Sequence, residues 1–379
     1  MTLLRTFAVK KSFLPILLLV FAAGCVNLGG IFPGEDVINA NPTSTEEGFR
    51  DVLIIKDIST IPKSPILPEQ DILFSFVIEN RDKDKKAENV IVDLLDAPLF
   101  KKKTKDTSGK EIFVLCNQGK CLPDKCAGTV VSGTIPANPA CTILPGDQKQ
   151  INFVLKAPSK NELANLKSDI DLSFSVRYNF AGSTLFKTVV VNLVEIKTRQ
   201  RAGNAISLDI PEFFGSGPMK IDADLKGTSY ILSPYSASIT FTIKTVGDPS
   251  IGSLLNSKIP KSESSKDVLK IIFPKELMNL HTQNTAITDA NIKAKLDAPT
   301  EYFTCKEDGL SIVCLNDAVK PGNTYDEITL FKGESTPLFF RIKETPPIKE
   351  PFKSFDIRAE LNYIYELRSS ARITVVPIE

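Results

Sequence analysis

The chain has no tryptophan, three methionines and one histidine among its 379 residues. A single imidazole, His281, excludes every mechanism or metal centre that needs two, and it reads as a loop residue with no base or ligand beside it. Charge of one sign is missing as well: 46 Lys plus Arg stand against 45 Asp plus Glu. Without a net field the surface has no general hold on a polyanion, so nucleic acid is not expected as a partner. No G-x-S-x-G elbow, phosphate loop, dinucleotide fingerprint or His-Glu-x-x-His helix occurs. The expectation is a non-enzymatic protein with no catalytic residue, no cofactor and no metal. A membrane helix needs about 20 apolar residues, and the run at 13–23 is shorter than that. What the chain does have is 42% apolar residues, enough for a core in each of two or three domains.

The short run follows Arg5, Lys10 and Lys11 and ends in Ala22-Ala23-Gly24-Cys25. A basic start, an apolar middle and small residues before a cleavage point make a secretion signal over 1–24. The small-small-Cys ending resembles the lipobox of bacterial and archaeal lipoproteins. That resemblance implies a lipid on Cys25 and a body held outside the membrane, the rival being an uncleaved anchor. Residues 25–50 are rich in Gly, Pro, Asn, Ser and Thr and read as a flexible stalk.

Seven cysteines are an odd number, but setting Cys25 aside leaves six. Cys116, Cys121, Cys126 and Cys141 form one cluster, and Cys305 and Cys314 another. An exported chain oxidises its thiols, so two bridges are expected in the first cluster, with the pairing open, and one in the second. No Cys-x-x-Cys spacing supports the alternative of a zinc site. Cys305 and Cys314 would face each other across a hairpin turning at Asp308-Gly309-Leu310-Ser311.

Beyond residue 50, short runs alternate apolar and polar residues with period two, as antiparallel sheets with one wet face do, and helical periodicity is almost absent. Leu172, Phe174, Val176, Tyr178 and Phe180 form one such run; Ile357, Ala359, Leu361, Tyr363 and Tyr365 repeat it. Each is expected to turn, at Gly182-Ser183 or Ser369-Ser370, into a further strand. Ile151, Phe153 and Leu155 match Leu338, Phe340 and Ile342, and Phe74, Phe76 and Ile78 match Ile239, Phe241 and Ile243. Repetition of this kind is the mark of a tandem duplication. The expected fold is all-β: two tandem immunoglobulin-like antiparallel sandwiches over 51–197 and 205–379, joined by a basic linker at 197–204. Ser159-x-x-Glu162 after Pro158 reads as a capping box for one helical turn.

Pro68-Glu69-Gln70-Asp71, the strand from Ile72 to Asn80, and Ala87-Glu88-Asn89-Val90-Ile91-Val92 resemble the CARDB-type Ig-like domains of bacterial and archaeal surface proteins. Leu144-Pro145-Gly146-Asp147 followed by the run from Ile151 to Pro158 is similar to the later part of that pattern. Arg81-Asp82 stand where the family prefers glycine, and the insertion from Cys116 to Cys141 lies outside the pattern. The resemblance implies extracellular spacer or adhesion modules and carries no catalytic residue.

Lys101, Lys102, Lys103 and Lys105 are the densest charge run. They read as a solvated loop tip after a strand ending at Phe100, with contact to anionic headgroups or an acidic surface polymer as the functional alternative. Asp169/Asp171 and Asp222/Asp224 have strand spacing and read as wet-face residues rather than a calcium loop. The function expected from all this is a membrane-anchored surface lipoprotein acting in adhesion or protein interaction. The alternative is a structural subunit of an envelope assembly such as a secretion, pilus or surface-layer complex. The partners would be the membrane and an unidentified protein or surface polymer.

Overall fold

The computed structural model describes residues 51–105, 108–117, 121–127, 140–203, 212–247, 252–254, 269–280, 287–300, 302–316 and 328–377. The expected signal peptide, Cys25, the stalk and His281 lie outside them.

The chain is nearly all antiparallel β-structure in a sandwich-like arrangement. The first half contributes β1 (Leu53–Ile61), β2 (Asp71–Asn80), β3 (Ala87–Lys105), β4 (Glu111–Asn117), β5 (Cys141–Ile143), β6 (Gln148–Lys156) and β7 (Ser168–Asn192). Helix α1 (Leu193–Arg201) follows, then β8 (Glu212–Phe214), β9 (Met219–Leu225), β10 (Ile231–Ser233), β11 (Ala237–Thr245), β12 (Gly252–Leu254) and β13 (Leu269–Pro274). The remainder is α2 (Asp289–Lys295), β14 (Leu296–Asp297), β15 (Thr304–Asp308), β16 (Ser311–Leu315), β17 (Leu330–Phe331), β18 (Glu334–Ser335), β19 (Leu338–Ile342) and β20 (Phe352–Val375).

The sequence repeat is also a repeat of register. Phe74 pairs with Phe153 and Phe76 with Ile151; their matches do the same, Ile239 with Phe340 and Phe241 with Leu338. In each half this layer faces another across an aromatic core. Phe174 of β7 stacks on Phe76 with ring centroids 4.2 Å apart and meets Phe74 at 5.5 Å. Phe273 of β13 meets Phe340 at 5.5 Å and Phe241 at 6.2 Å. Period-two strands make this possible, because every second side chain points to one face.

The halves are not joined by a linker alone. Strands β7 and β20 pair along their whole length, from Phe352 opposite Val191 to Val375 opposite Ser168. The turns expected at Gly182-Ser183 and Ser369-Ser370 do not form; both positions lie inside continuous strands. The small residues have another use. A Cβ on Gly182 would lie 3.5 Å from the Met219 carbonyl oxygen and 3.7 Å from the Tyr363 ring, so this is a point of close backbone approach within a strand. Downstream, β7 stops at Asn192, whose side chain accepts a hydrogen bond from the Val194 amide at 2.9 Å and caps α1. Most of the expected linker is therefore helix.

At the centre of the ribbon Tyr178 lies opposite Tyr365 and Phe180 opposite Tyr363, each pair with ring centroids 6.0 Å apart. Tyr178 and Tyr363 are sequence-matched positions, as are Phe180 and Tyr365. The two copies thus meet about a local twofold at the Asn179–Ile364 pair, as two identical subunits would. Burial pushes the phenols of Tyr178 and Tyr363 well above their ordinary range, which keeps this contact neutral.

Candidate functional site

The strands β1, β2 and β6 lie side by side. Their inward residues build the core; their outward residues set the surface. Ile61 of β1 lies opposite Leu73 of β2, and Leu73 opposite Val154 of β6, so three apolar side chains form one rung across the outward face. Neighbouring strands are about 4.8 Å apart, which makes the rung continuous. Ile61 is 63% exposed and Val154 60%. One rung away, Asp71 pairs with Lys156, Lys156 with Lys101, and Lys101 with Leu115 of β4. Phe113 and Leu115 are exposed on β4, and the Lys156 ammonium sits 4.7 Å from the centroid of Phe113. The outward face thus carries two exposed apolar groups, the Ile61–Leu73–Val154 rung on β1, β2 and β6 and the Phe113/Leu115 pair on β4, with the lysines of β3 between them. Single exposed apolar residues mean little, but a contiguous apolar rung such as Ile61–Leu73–Val154 on a polar face marks an interaction surface.

The lysine run is not a loop tip. Strand β3 continues through Lys105 and forms a hairpin with β4, Lys101 facing Leu115 and Lys103 facing Phe113. A lysine-rich stretch reads as a loop because lysine is depleted in strands; here each Lys has a β4 residue as its cross-strand partner, and tertiary pairing outweighs propensity. Lys101 forms an ion pair with Glu162, and the Lys102 ammonium donates to the Leu122 carbonyl oxygen. Lys103 is exposed, and the Lys105 side chain is outside the described residues. The four lysines therefore do not form one free cationic cluster.

Glu162 belongs to the expected capping box. Its carboxylate accepts from the Ser159 amide at 2.8 Å and the Ser159 hydroxyl at 2.9 Å. The Lys101 ion pair, followed by the Ser159 amide, holds its pKa down at about 2. A carboxyl depressed in the folded state stabilises fully above its ordinary value near 4.5, and that contribution disappears as pH falls through about 2. The expected result is that Glu162→Gln lowers the urea midpoint at pH 7 and that the gap to the parent chain closes between pH 4.5 and 2. A gap that stays constant over that range would rule out Glu162 as the titrating group.

The cysteines pair as Cys116–Cys121, Cys126–Cys141 and Cys305–Cys314. Cys305 and Cys314 lie directly opposite each other in the β15–β16 hairpin, with Asp308 facing Ser311 across the Gly309-Leu310 turn. The described part of the cysteine-rich insertion closes one side of the first half. Asp124 accepts from the Asn152 amide at 2.9 Å and its side-chain nitrogen at 3.1 Å on β6, while the Cys126 carbonyl accepts from Val92 on β3 at 2.8 Å. It bridges two strands that pair only at Lys101–Lys156.

Of the expected carboxylate pairs, Asp169, Asp171 and Asp222 are held by their own sheets, and Asp224 is exposed on β9. Asp171 binds Arg372 at 2.8 Å, Asp169 accepts from the Thr374 hydroxyl at 2.6 Å, and Asp222 binds Lys244 at 2.7 Å. No cluster of three or more His, Cys, Asp or Glu side chains suited to a metal is present among the described residues.

No protein-family model matches the chain, and no curated protein does. Among solved structures, a protein of unknown function from Porphyromonas gingivalis W83 is similar at 10% identity and a TM-score of 0.18, covering 86% of this chain and 100% of that one. The Enterococcus faecalis MSCRAMM ACE, described as binding its ligands by the collagen hug model, is similar at 10% identity and a TM-score of 0.17, covering 86% and 96%. Three disulfides fit an oxidising, extracytoplasmic setting. No described helix is long and apolar enough to cross a membrane.

Proposed function

We propose that the chain is a non-enzymatic surface lipoprotein, anchored through Cys25 after removal of residues 1–24, whose body is an adhesion or protein-interaction module. The observation that carries the reading is the outward apolar rung Ile61–Leu73–Val154, with Leu115 and Phe113 exposed beyond the lysines of β3. A rung of that kind buries itself against a protein partner. The three disulfides support export, and the CARDB-like pattern of the first half supports an extracellular module.

The second reading, a structural subunit of an envelope assembly, is favoured by the aliphatic character of the Ile61–Leu73–Val154 rung, since permanent interfaces are more apolar than transient ones. Affinity pull-down from detergent-solubilised membranes separates the two. A complex that survives extraction with the parent chain and is lost with Val154→Asp plus Phe113→Ser supports the assembly subunit. Saturable binding of the purified chain to intact cells, weakened at least about tenfold by the same pair, supports adhesion. Binding indifferent to both substitutions would remove these apolar groups from the reading. Anchoring is tested by intact mass of the chain from its own membranes. A start at Cys25 with added acyl mass and a gain of about six daltons on reduction is expected.

A further inference from the structure

The second half carries a different surface. Strand β19 turns Leu338, Phe340 and Ile342 inward and Phe339 and Arg341 outward. Residues two apart on a strand emerge on the same face, about 6.8 Å from each other. On one flank β11 sets Thr240 opposite Phe339 and Ser238 opposite Arg341; on the other β14 sets Asp297 opposite Arg341. Further out, Asp224 of β9 lies opposite Thr240, and the Lys226 ammonium stands 5.8 Å from the Phe339 centroid. Phe339 is 55% exposed. Beside it Tyr302, Pro299 and Pro337 help to bound a cleft of about 340 Å³, at the small end of ligand-site sizes.

The cleft is lined by one carboxylate and one guanidinium, Asp297 and Arg341. Asp297 is held by Lys343 at 2.8 Å. Arg341, exposed, makes no side-chain hydrogen bond or ion pair with another described residue. Its planar fork is therefore open to a carboxylate, which it matches with two parallel hydrogen bonds. An exposed flat ring, two hydroxyls within one strand of it and a guanidinium without an ion pair among the described residues describe a face for a molecule that is apolar on one side, rich in hydroxyls at its rim and anionic. An extended peptide draws its affinity from main-chain pairing along a strand edge rather than from outward side chains; β11 covers β19 along its whole length, and β14 covers its other side at Arg341 and Ile342.

We propose that this face binds a hexuronate unit of an acidic polysaccharide, with the sugar ring packed on Phe339, its hydroxyls toward Thr240 and Ser238, and its carboxylate on Arg341. The site lies in the other half from the apolar rung and does not depend on that rung having a partner. The test uses the full-length chain in detergent, titrated by calorimetry with a trigalacturonate, a neutral trisaccharide of the same length and a triglutamate peptide. Saturable trigalacturonate binding is expected, at least tenfold tighter than the other two. Arg341→Gln and Phe339→Ala should each weaken it at least tenfold without changing the melting curve, because both side chains are exposed, while Phe113→Ser should leave it unchanged. No saturation, equal binding of the neutral sugar, preference for the peptide, or indifference to both substitutions would each overturn the proposal.

Discussion

Phe174→Ala is expected to destabilise the chain by about 3–5 kcal/mol, the range for removing a fully buried phenylalanine. Phe174 is 0% exposed and touches both Phe74 and Phe76 across the sandwich. The cavity would open between two paired layers, each fixed by its own hydrogen bonds, so little collapse can offset it. Phe174 sits on β7, and β7 is paired with β20 through both halves of the molecule. Loosening β7 should therefore speed hydrogen exchange not only in β2 but also in β13, which pairs with β20. The measurement is exchange by mass spectrometry on parent and variant, alongside a urea unfolding curve. Protection in β13 that stays at the parent level would show that the halves unfold separately and that the ribbon does not couple them.

Gly217→Ala should cost about 3 kcal/mol or more, from backbone strain together with overpacking. Gly217 has φ +125°, a conformation L side chains rarely adopt, and an added Cβ would lie 2.6 Å from the Tyr363 hydroxyl oxygen and 2.8 Å from a Phe180 ring carbon. Both rings belong to the aromatic contact at the centre of the ribbon, so neither can move without disturbing the pairing of β7 with β20. Gly227 is the control. Its φ is +87°, but nothing lies within 4 Å of the added carbon. Gly227→Ala should therefore cost only about 1 kcal/mol, the part that belongs to the backbone alone. Urea midpoints of the two variants measure the difference. Equal losses would mean that contact with Tyr363 and Phe180 adds nothing.

The strands and their inward faces were legible in the sequence because alternation is a local signal. Phe74, Phe76, Ile151, Phe153, Ile239, Phe241, Leu338 and Phe340 all lie in the core on the expected strands. The capping box at Ser159 and Glu162 was legible for the same reason. The candidate rung was not. Leu73 and Val154 look like part of a core run, and sequence alone does not say whether the second apolar face of a strand is covered. The signal was present, since strands apolar on both faces imply a cover on both. Phe339 and Arg341 were not legible as a site either, because what joins them to Ser238, Thr240 and Lys226 is sheet register rather than proximity in the chain.

By itself the sequence determined the β class, the repeat, the oxidised cysteine set and the hairpin around Asp308 to Ser311, all of which follow from composition, period or short-range turn chemistry. Only the tertiary structure decided the rest. The disulfide partners within Cys116 to Cys141 depend on how the insertion spans β3 and β6. Whether Gly182-Ser183 and Ser369-Ser370 turn or run straight depends on a partner roughly a half-chain away. Small residues permit both a tight turn and a close strand crossing. The choice went to the crossing because each long strand finds an unbroken row of hydrogen-bonding groups and inward side chains on its counterpart.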